Sequence, residues 1–114
     1  WEEIECDDAE YIIVAFGSSA RICSATVEAA RAEGIKLGLL RPITLWPFPK
    51  QPIAELAERG DKGFLSVELN AGQMVEDVRL AVNGKAQVEH FGATGGMMVS
   101  PDDVLAELKN KFVK

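Results

Sequence analysis

The sequence lacks the long apolar run that a membrane-spanning helix requires. Such a helix needs about 18 consecutive apolar residues, and no stretch of the 114 residues approaches that length. Nor does the sequence open with a charged segment followed by an apolar one and a small-residue cleavage site, so no secretory leader is predicted. We therefore expect no membrane association and a cytoplasmic location.

Residues that bind metals or attack substrates are also scarce. Cys6 and Cys23 have neither CxxC spacing nor a nearby histidine, so we expect two reduced thiols rather than a metal site. His90 is the only histidine, and neither Ser66 nor Ser100 occupies the GxSxG motif of a serine hydrolase. The sequence therefore predicts no catalytic triad and no catalytic residue of its own.

Positive charge is in short supply. Lys and Arg number 12 against 18 Asp and Glu, which gives a formal net charge of −6. Repulsion from phosphates disfavours nucleic-acid binding and, by the same argument, acidic lipid surfaces. Apolar residues make up 47% and charged residues 26%, as in an ordinary folded domain.

The length of 114 residues suits one hydrophobic core rather than two. The chain begins with Trp1 instead of Met and enters a strand-like segment at once. We therefore expect a single domain over residues 1–114, excised from the C-terminal part of a longer subunit.

Apolar patterning alternates between strands and helices along the whole sequence. Continuous apolar runs predict strands, and spacings of three and four predict helices. The predicted strands cover residues 1–6, 11–16, 35–41, 63–69 and 86–91, and the predicted helices cover residues 19–33, 53–60, 74–82 and 101–112. The expected fold class is α/β, with three α/β/α layers and a mostly parallel sheet of about five strands. Glutamates in the first segment suit an antiparallel N-terminal edge strand.

The segment from Gly17 to Arg21 joins the first long strand to a helix and is a candidate anion site. Helix N-termini offer free amides and a positive dipole end, and Ser18, Ser19 and Arg21 could assist. The segment lacks the GxGxxG and GK[ST] patterns of nucleotide loops. A serine cap on the helix is therefore the competing interpretation.

Polar residues also cluster where the predicted strand at residues 63–69 ends. Glu68, Asn70 and Gln73 surround a glycine turn at the carboxyl end of a parallel strand, where such sheets place functional groups. The alternative is a rigid junction in which Asn70 adopts a turn conformation and Glu68 accepts hydrogen bonds from nearby amides.

The proline-rich loop at residues 42–52 carries Trp46 and Phe48. Prolines hold this loop extended, so the two aromatic side chains would be low-entropy anchors for another subunit or domain. Internal packing is the alternative.

Three segments resemble the alpha chain of 2-oxoacid:ferredoxin oxidoreductases: VAFGSSAR at residues 14–21, LRPITLWPFP at residues 40–49 and VELNAGQM at residues 67–74. In that family they belong to a domain similar to the transketolase C-terminal domain. The resemblance implies a parent enzyme that oxidises a 2-oxoacid with coenzyme A. The parent would use thiamine diphosphate, magnesium and iron–sulfur clusters and pass electrons to ferredoxin.

This chain has no cysteine set for a cluster and no GDG-type diphosphate motif, so no cofactor is expected in it. The residues that match the family motifs are candidates for structure or subunit contact only: Arg41, Trp46, Phe48, Glu68, Asn70 and Gln73. The leading hypothesis is a non-catalytic assembly domain whose partners are the other domains and subunits of the oxidoreductase. The alternative is a module that binds a small anion or nucleotide at Gly17–Arg21.

Overall fold

The computed structural model describes residues 2–15, 18–41, 50–58, 63–68, 73–92 and 100–112. The strands, in chain order, are β1 (Glu2–Ile4), β2 (Tyr11–Ala15), β3 (Leu37–Arg41), β4 (Gly63–Glu68) and β5 (Gln87–Gly92). The helices are α1 (Ser18–Ala32), α2 (Lys50–Glu58), α3 (Gln73–Val82) and α4 (Pro101–Lys111). None of the helices in the described part of the chain is long and apolar enough to cross a membrane.

The five strands form one sheet in the order β1-β3-β2-β4-β5. β2 lies at the centre and pairs in parallel with β3 and β4, while β5 extends the parallel part beyond β4. β1 pairs antiparallel with β3 at the other edge and places Glu2 opposite Arg41. The predicted mostly parallel sheet with an antiparallel N-terminal edge strand is therefore confirmed.

Successive residues of the central strands enter two different cores, because side chains alternate across a sheet. Ile13 and Leu65 pack with buried residues of α1 and α4 such as Val27 and Leu108, in what we term the α1/α4 core. On the opposite face lies the α2/α3 core, to which the strands contribute Ile12, Val14 and Phe64 and the two helices contribute Ile53, Leu56, Ala57, Val78, Ala81 and Val82. The sheet is covered on both faces, as the predicted three layers require.

The end of α1 explains why β3 begins later than predicted. Ile35 N–H donates to the Ala30 carbonyl at 2.9 Å and Gly34 N–H donates to the Arg31 carbonyl at 3.0 Å, while Gly34 has φ 84°. These paired bonds form a Schellman motif, which a glycine in the left-handed region completes. Because Ile35 takes part in the helix end, β3 begins at Leu37 instead of the predicted Ile35.

The predicted start of α4 and end of α3 are confirmed. Ser100 Oγ accepts a hydrogen bond from Asp103 N–H at 3.2 Å, and Ser100 N–H donates to Asp103 Oδ2 at 3.0 Å. This capping box is followed by Pro101 at the first position of the helix. α3 ends before Asn83 and Gly84, which both lie in the left-handed region with φ 54° and 76°.

Arg31 joins the acidic segment after β1 to the end of α1. Its guanidinium donates to Asp8 Oδ1 at 2.8 Å, to the Glu5 carbonyl at 2.7 Å and to the Leu37 carbonyl at 3.0 Å. The hydrogen bond from Arg31 holds the pKa of Asp8 below its usual value. Cys6 was predicted within the edge strand but lies beyond the end of β1, where it is buried.

Candidate functional site

The carboxyl ends of β2, β3 and β4 lie at one edge of the sheet, because these strands are parallel. Arg41 ends β3 and Glu68 ends β4, while α1 begins at Ser18 shortly after β2 and α3 begins at Gln73 after β4. Open α/β sheets bind their ligands at this edge. The fold thus brings candidate residues from separate sequence motifs to a common edge.

Arg21 and Arg41 line the same groove, which has a volume of about 520 Å³. Arg21 belongs to the N-terminal part of α1, and Arg41 is the last residue of β3. Ile4 contributes apolar surface above the fully buried Leu39, and Glu2 contributes a carboxylate. We term this feature the two-arginine groove. It joins a residue predicted for anion binding to one predicted for subunit contact.

The charges of the two-arginine groove are weakly compensated. Arg41 Nη1 lies 3.8 Å from Glu2 Oε1, which is longer than a hydrogen bond. Both side chains are about half exposed, at 45% for Arg41 and 51% for Glu2. A surface pair of this kind contributes about 0 to 1 kcal/mol. Arg21 is exposed, and no carboxylate within the described ranges pairs with it.

Ser66 and His90 lie side by side on the adjacent strands β4 and β5. Within the residues described, neither Ser66 Oγ nor His90 Nδ1 has a hydrogen-bond partner, although both atoms are buried. Residues paired across adjacent strands point to the same face. No motif in the sequence links these two residues. Both lie near the carboxyl ends of successive strands, and this is the signal that could have predicted their proximity.

The two cysteines form no disulfide bond with each other and lie on opposite faces of the sheet. Cys6 Sγ donates to the Leu39 carbonyl at 3.3 Å. Burial raises the pKa of Cys23 to about 12, which leaves the thiol protonated and unreactive at neutral pH. In the described part of the chain, no group of three His, Cys, Asp or Glu side chains could hold a metal ion.

Several predicted candidates lie outside the residues whose side chains the structure describes. Trp46, Phe48 and Asn70 lie outside the described residues. For Ser18, Ser19, Glu68 and Gln73 the structure describes the position in a helix or strand only. Helix capping, subunit contact and anion binding by these residues therefore stay predictions.

The fold is similar to those of two solved enzymes. One is a 2-oxoglutarate:ferredoxin oxidoreductase from Magnetococcus marinus, solved with 2-oxoglutarate, coenzyme A and succinyl-CoA bound. It superposes with a TM-score of 0.76 at 23% identity over 90% of this chain and 18% of that chain. The other is a split-gene transketolase in an inactive beta4 tetramer, with a TM-score of 0.73 at 18% identity over 88% of this chain and 37% of that chain. The chain therefore has a transketolase C-terminal-like α/β fold.

A sequence profile described as pyruvate:ferredoxin oxidoreductase core domain II matches residues 9–104. The chain belongs to this family of oxidoreductase domains, as the sequence resemblance predicted. The ketoisovalerate oxidoreductase subunit VorB of Methanothermobacter thermautotrophicus is 50% identical over 96% of this chain and 30% of its own length. The 2-oxoglutarate synthase subunit KorA of Methanothermobacter marburgensis is 37% identical over 90% of this chain and 27% of its own length. The chain thus spans less than a third of these two relatives.

Proposed function

We propose that the chain is a non-catalytic assembly domain of a thiamine-diphosphate-dependent 2-oxoacid:ferredoxin oxidoreductase, within a longer cytoplasmic alpha subunit. The observation that carries the proposal is the match of residues 9–104 to core domain II of such enzymes. The central strands support it, because their side chains fill the two cores. The direct activity of the domain is therefore binding to neighbouring domains and subunits.

The proposed parent enzyme cleaves the bond between the carboxylate and the carbonyl carbon of a 2-oxoacid. Carbon dioxide leaves, the acyl group passes to coenzyme A and two electrons pass to ferredoxin. Thiamine diphosphate, magnesium and iron–sulfur clusters would supply this chemistry in other parts of the enzyme. The two cysteines of this chain are too few for a cluster with four thiolate ligands.

A branched-chain 2-oxoacid is the substrate class that we propose for the parent enzyme. Identity to the ketoisovalerate oxidoreductase subunit is 50%, whereas identity to the 2-oxoglutarate synthase subunit is 37%. Both alignments cover at least nine-tenths of this chain, at 96% and 90%. The difference in identity is therefore not an effect of unequal coverage.

The loops that follow the carboxyl ends of the parallel strands form the proposed assembly surface. Trp46 and Phe48 follow β3, and Asn70 follows β4. Arg41 contributes an exposed guanidinium at the same edge. Aromatic residues and arginine are the side chains that most often dominate protein interfaces.

Co-purification tests this role. The tagged chain is co-expressed with the remaining subunits and domains of a 2-oxoacid:ferredoxin oxidoreductase from the same organism, and captured protein is quantified. We expect the Trp46→Ala, Phe48→Ala double variant to lose most of the capture, because aromatic anchors often contribute about 2 kcal/mol or more each. We expect the purified chain alone to show no 2-oxoacid oxidation.

Leu80→Ala is the matched control, since Leu80 is a large apolar side chain on α3 that is 68% exposed and is not part of the sequence segment at residues 42–52. Circular dichroism verifies that each variant is folded. Capture that survives the double substitution, or that Leu80→Ala abolishes equally, would contradict the assigned surface. Turnover by the purified chain would contradict the non-catalytic role.

A further inference from the structure

We propose that the two-arginine groove binds a small organic anion through a phosphate or carboxylate group. This inference goes beyond the assembly role and does not depend on it. The groove measures about 520 Å³, which lies within the range of small-ligand sites, about 300 to 1,000 Å³. It lies between α1 and the β1–β3 edge of the sheet, beside the carboxyl end of β3.

The groove collects positive charge on a chain that carries a net charge of −6. Within the described part of the chain, its charged lining residues are two arginines, Arg21 and Arg41, and one glutamate, Glu2. A guanidinium offers five N–H donors in a planar arrangement that suits carboxylate and phosphate oxygens. Two guanidiniums from different elements can engage one anion from two sides. The acidic remainder of the chain disfavours a large polyanion as the ligand.

The contact between Glu2 and Arg41 supports the inference. The distance of 3.8 Å leaves the guanidinium N–H groups without a direct hydrogen bond to this carboxylate. An incoming anion can therefore reach Arg41 without displacing a buried ion pair. Ser24, which is half-buried in the lining, adds a hydroxyl donor. Ile4, which is half-buried, supplies an apolar wall for the carbon part of the ligand.

The test uses nuclear magnetic resonance titrations of the full chain with inorganic phosphate and, separately, with succinate. Sodium chloride at matched ionic strength is the reference. We expect saturable shifts of the backbone amide signals of Ala20, Ser24 and Arg41. Saturation by phosphate alone assigns a phosphate ligand, and saturation by succinate alone assigns a carboxylate ligand. Saturation by both assigns a general anion site.

Variants decide whether the two arginines carry the binding. Arg21→Ala and Arg41→Ala should each weaken it about tenfold, the effect of one lost charge-assisted hydrogen bond. Lys111→Ala, which removes an exposed cation at the end of α4, should leave the affinity unchanged. Glu2→Gln should strengthen binding several-fold, whereas Glu3→Gln, on the neighbouring residue outside the lining, should not.

Two results would overturn the inference. One is the absence of saturable shifts above the chloride reference with both anions. The other is saturable binding that neither arginine substitution weakens. In both cases a well-dispersed spectrum must first show that the protein is folded.

Discussion

The two faces of the sheet differ in how far their buried polar groups are hydrogen-bonded. On the α1/α4 face the fully buried Thr26 donates to the Ile22 carbonyl and is also 3.2 Å from the carbonyl of Pro101, which begins α4. Ser66 is paired with Val14 and therefore lies on the α2/α3 face, where it is equally buried, but its hydroxyl has no partner among the residues described. The neighbouring His90 has a buried Nδ1 that likewise has no hydrogen-bond partner among those residues.

The difference separates Thr26, whose burial is compensated by hydrogen bonds, from Ser66 and His90, whose burial packing alone does not explain. An unpaired buried polar group costs about 1 to 3 kcal/mol, and an apolar residue of similar size would avoid that cost. The α1/α4 face avoids it through the contacts of Thr26. The positions of Ser66 and His90 keep the cost at the edge where α/β proteins place ligand and partner contacts.

The largest expected effect comes from cavities on the two faces. Phe64 and Leu65 are consecutive, fully buried residues of β4 that enter the α2/α3 core and the α1/α4 core respectively. Phe64→Ala should lower the free energy of unfolding by about 3 to 5 kcal/mol, and Leu65→Ala by about 2 to 5 kcal/mol. Urea unfolding of the 114-residue chain measures both. A cost below about 1 kcal/mol for either variant would show that the corresponding face is not a closed core.

An intermediate effect, of opposite sign on the two faces, is expected from removing one hydroxyl. Thr26→Val deletes the hydrogen-bonding group and should lower the free energy of unfolding by about 1 kcal/mol. Ser66→Ala deletes a hydroxyl that has no partner in the described part of the chain, and it should leave this free energy unchanged or raise it by up to about 1 kcal/mol. Both values come from the same urea titrations. A loss of stability for Ser66→Ala as large as that for Thr26→Val would indicate a bridging partner and remove the contrast.

The smallest effect on stability is expected from the cysteine variants, which report on thiol reactivity instead. A pKa of about 12 leaves on the order of one thiolate in 10⁴ at pH 8. In a Cys6→Ala variant, Cys23 should therefore react with iodoacetamide at least about 100-fold more slowly in the folded chain than in urea. The reverse variant, Cys23→Ala, reports opening on the other face through Cys6. Equal rates for folded and unfolded Cys23 would contradict its burial.

Periodicity in the sequence was enough to predict the order of the elements and the two-sided core. Ile12, Ile13 and Val14 form a continuous apolar run, which indicates a strand covered on both faces. Local hydrogen bonding decided the start of β3, because the left-handed Gly34 draws Ile35 into the helix end. The glycine at position 34 predicted that the helix ends there, but it did not predict that Ile35 also belongs to the helix end.

The two-arginine groove could not be predicted because it depends on which strands are neighbours. Arg21 was assigned to an anion site and Arg41 to a subunit contact, and no spacing rule joins them. Strand order places β3 beside β2, so the residue that ends β3 comes near the start of the helix that follows β2. The pairing of Ser66 with His90 has the same origin, since it exists only in the register of β4 with β5.

The contact between Thr26 and Pro101 has a consequence for synthesis on the ribosome. It joins residues that are 75 positions apart in the sequence. The segments of α2 and α3 are translated well before α4, at about 5 to 20 residues per second. One side of the nascent sheet can therefore gain its helices while the other still exposes the apolar surface that α4 will cover. During that interval the α1 side is the one that needs protection from aggregation.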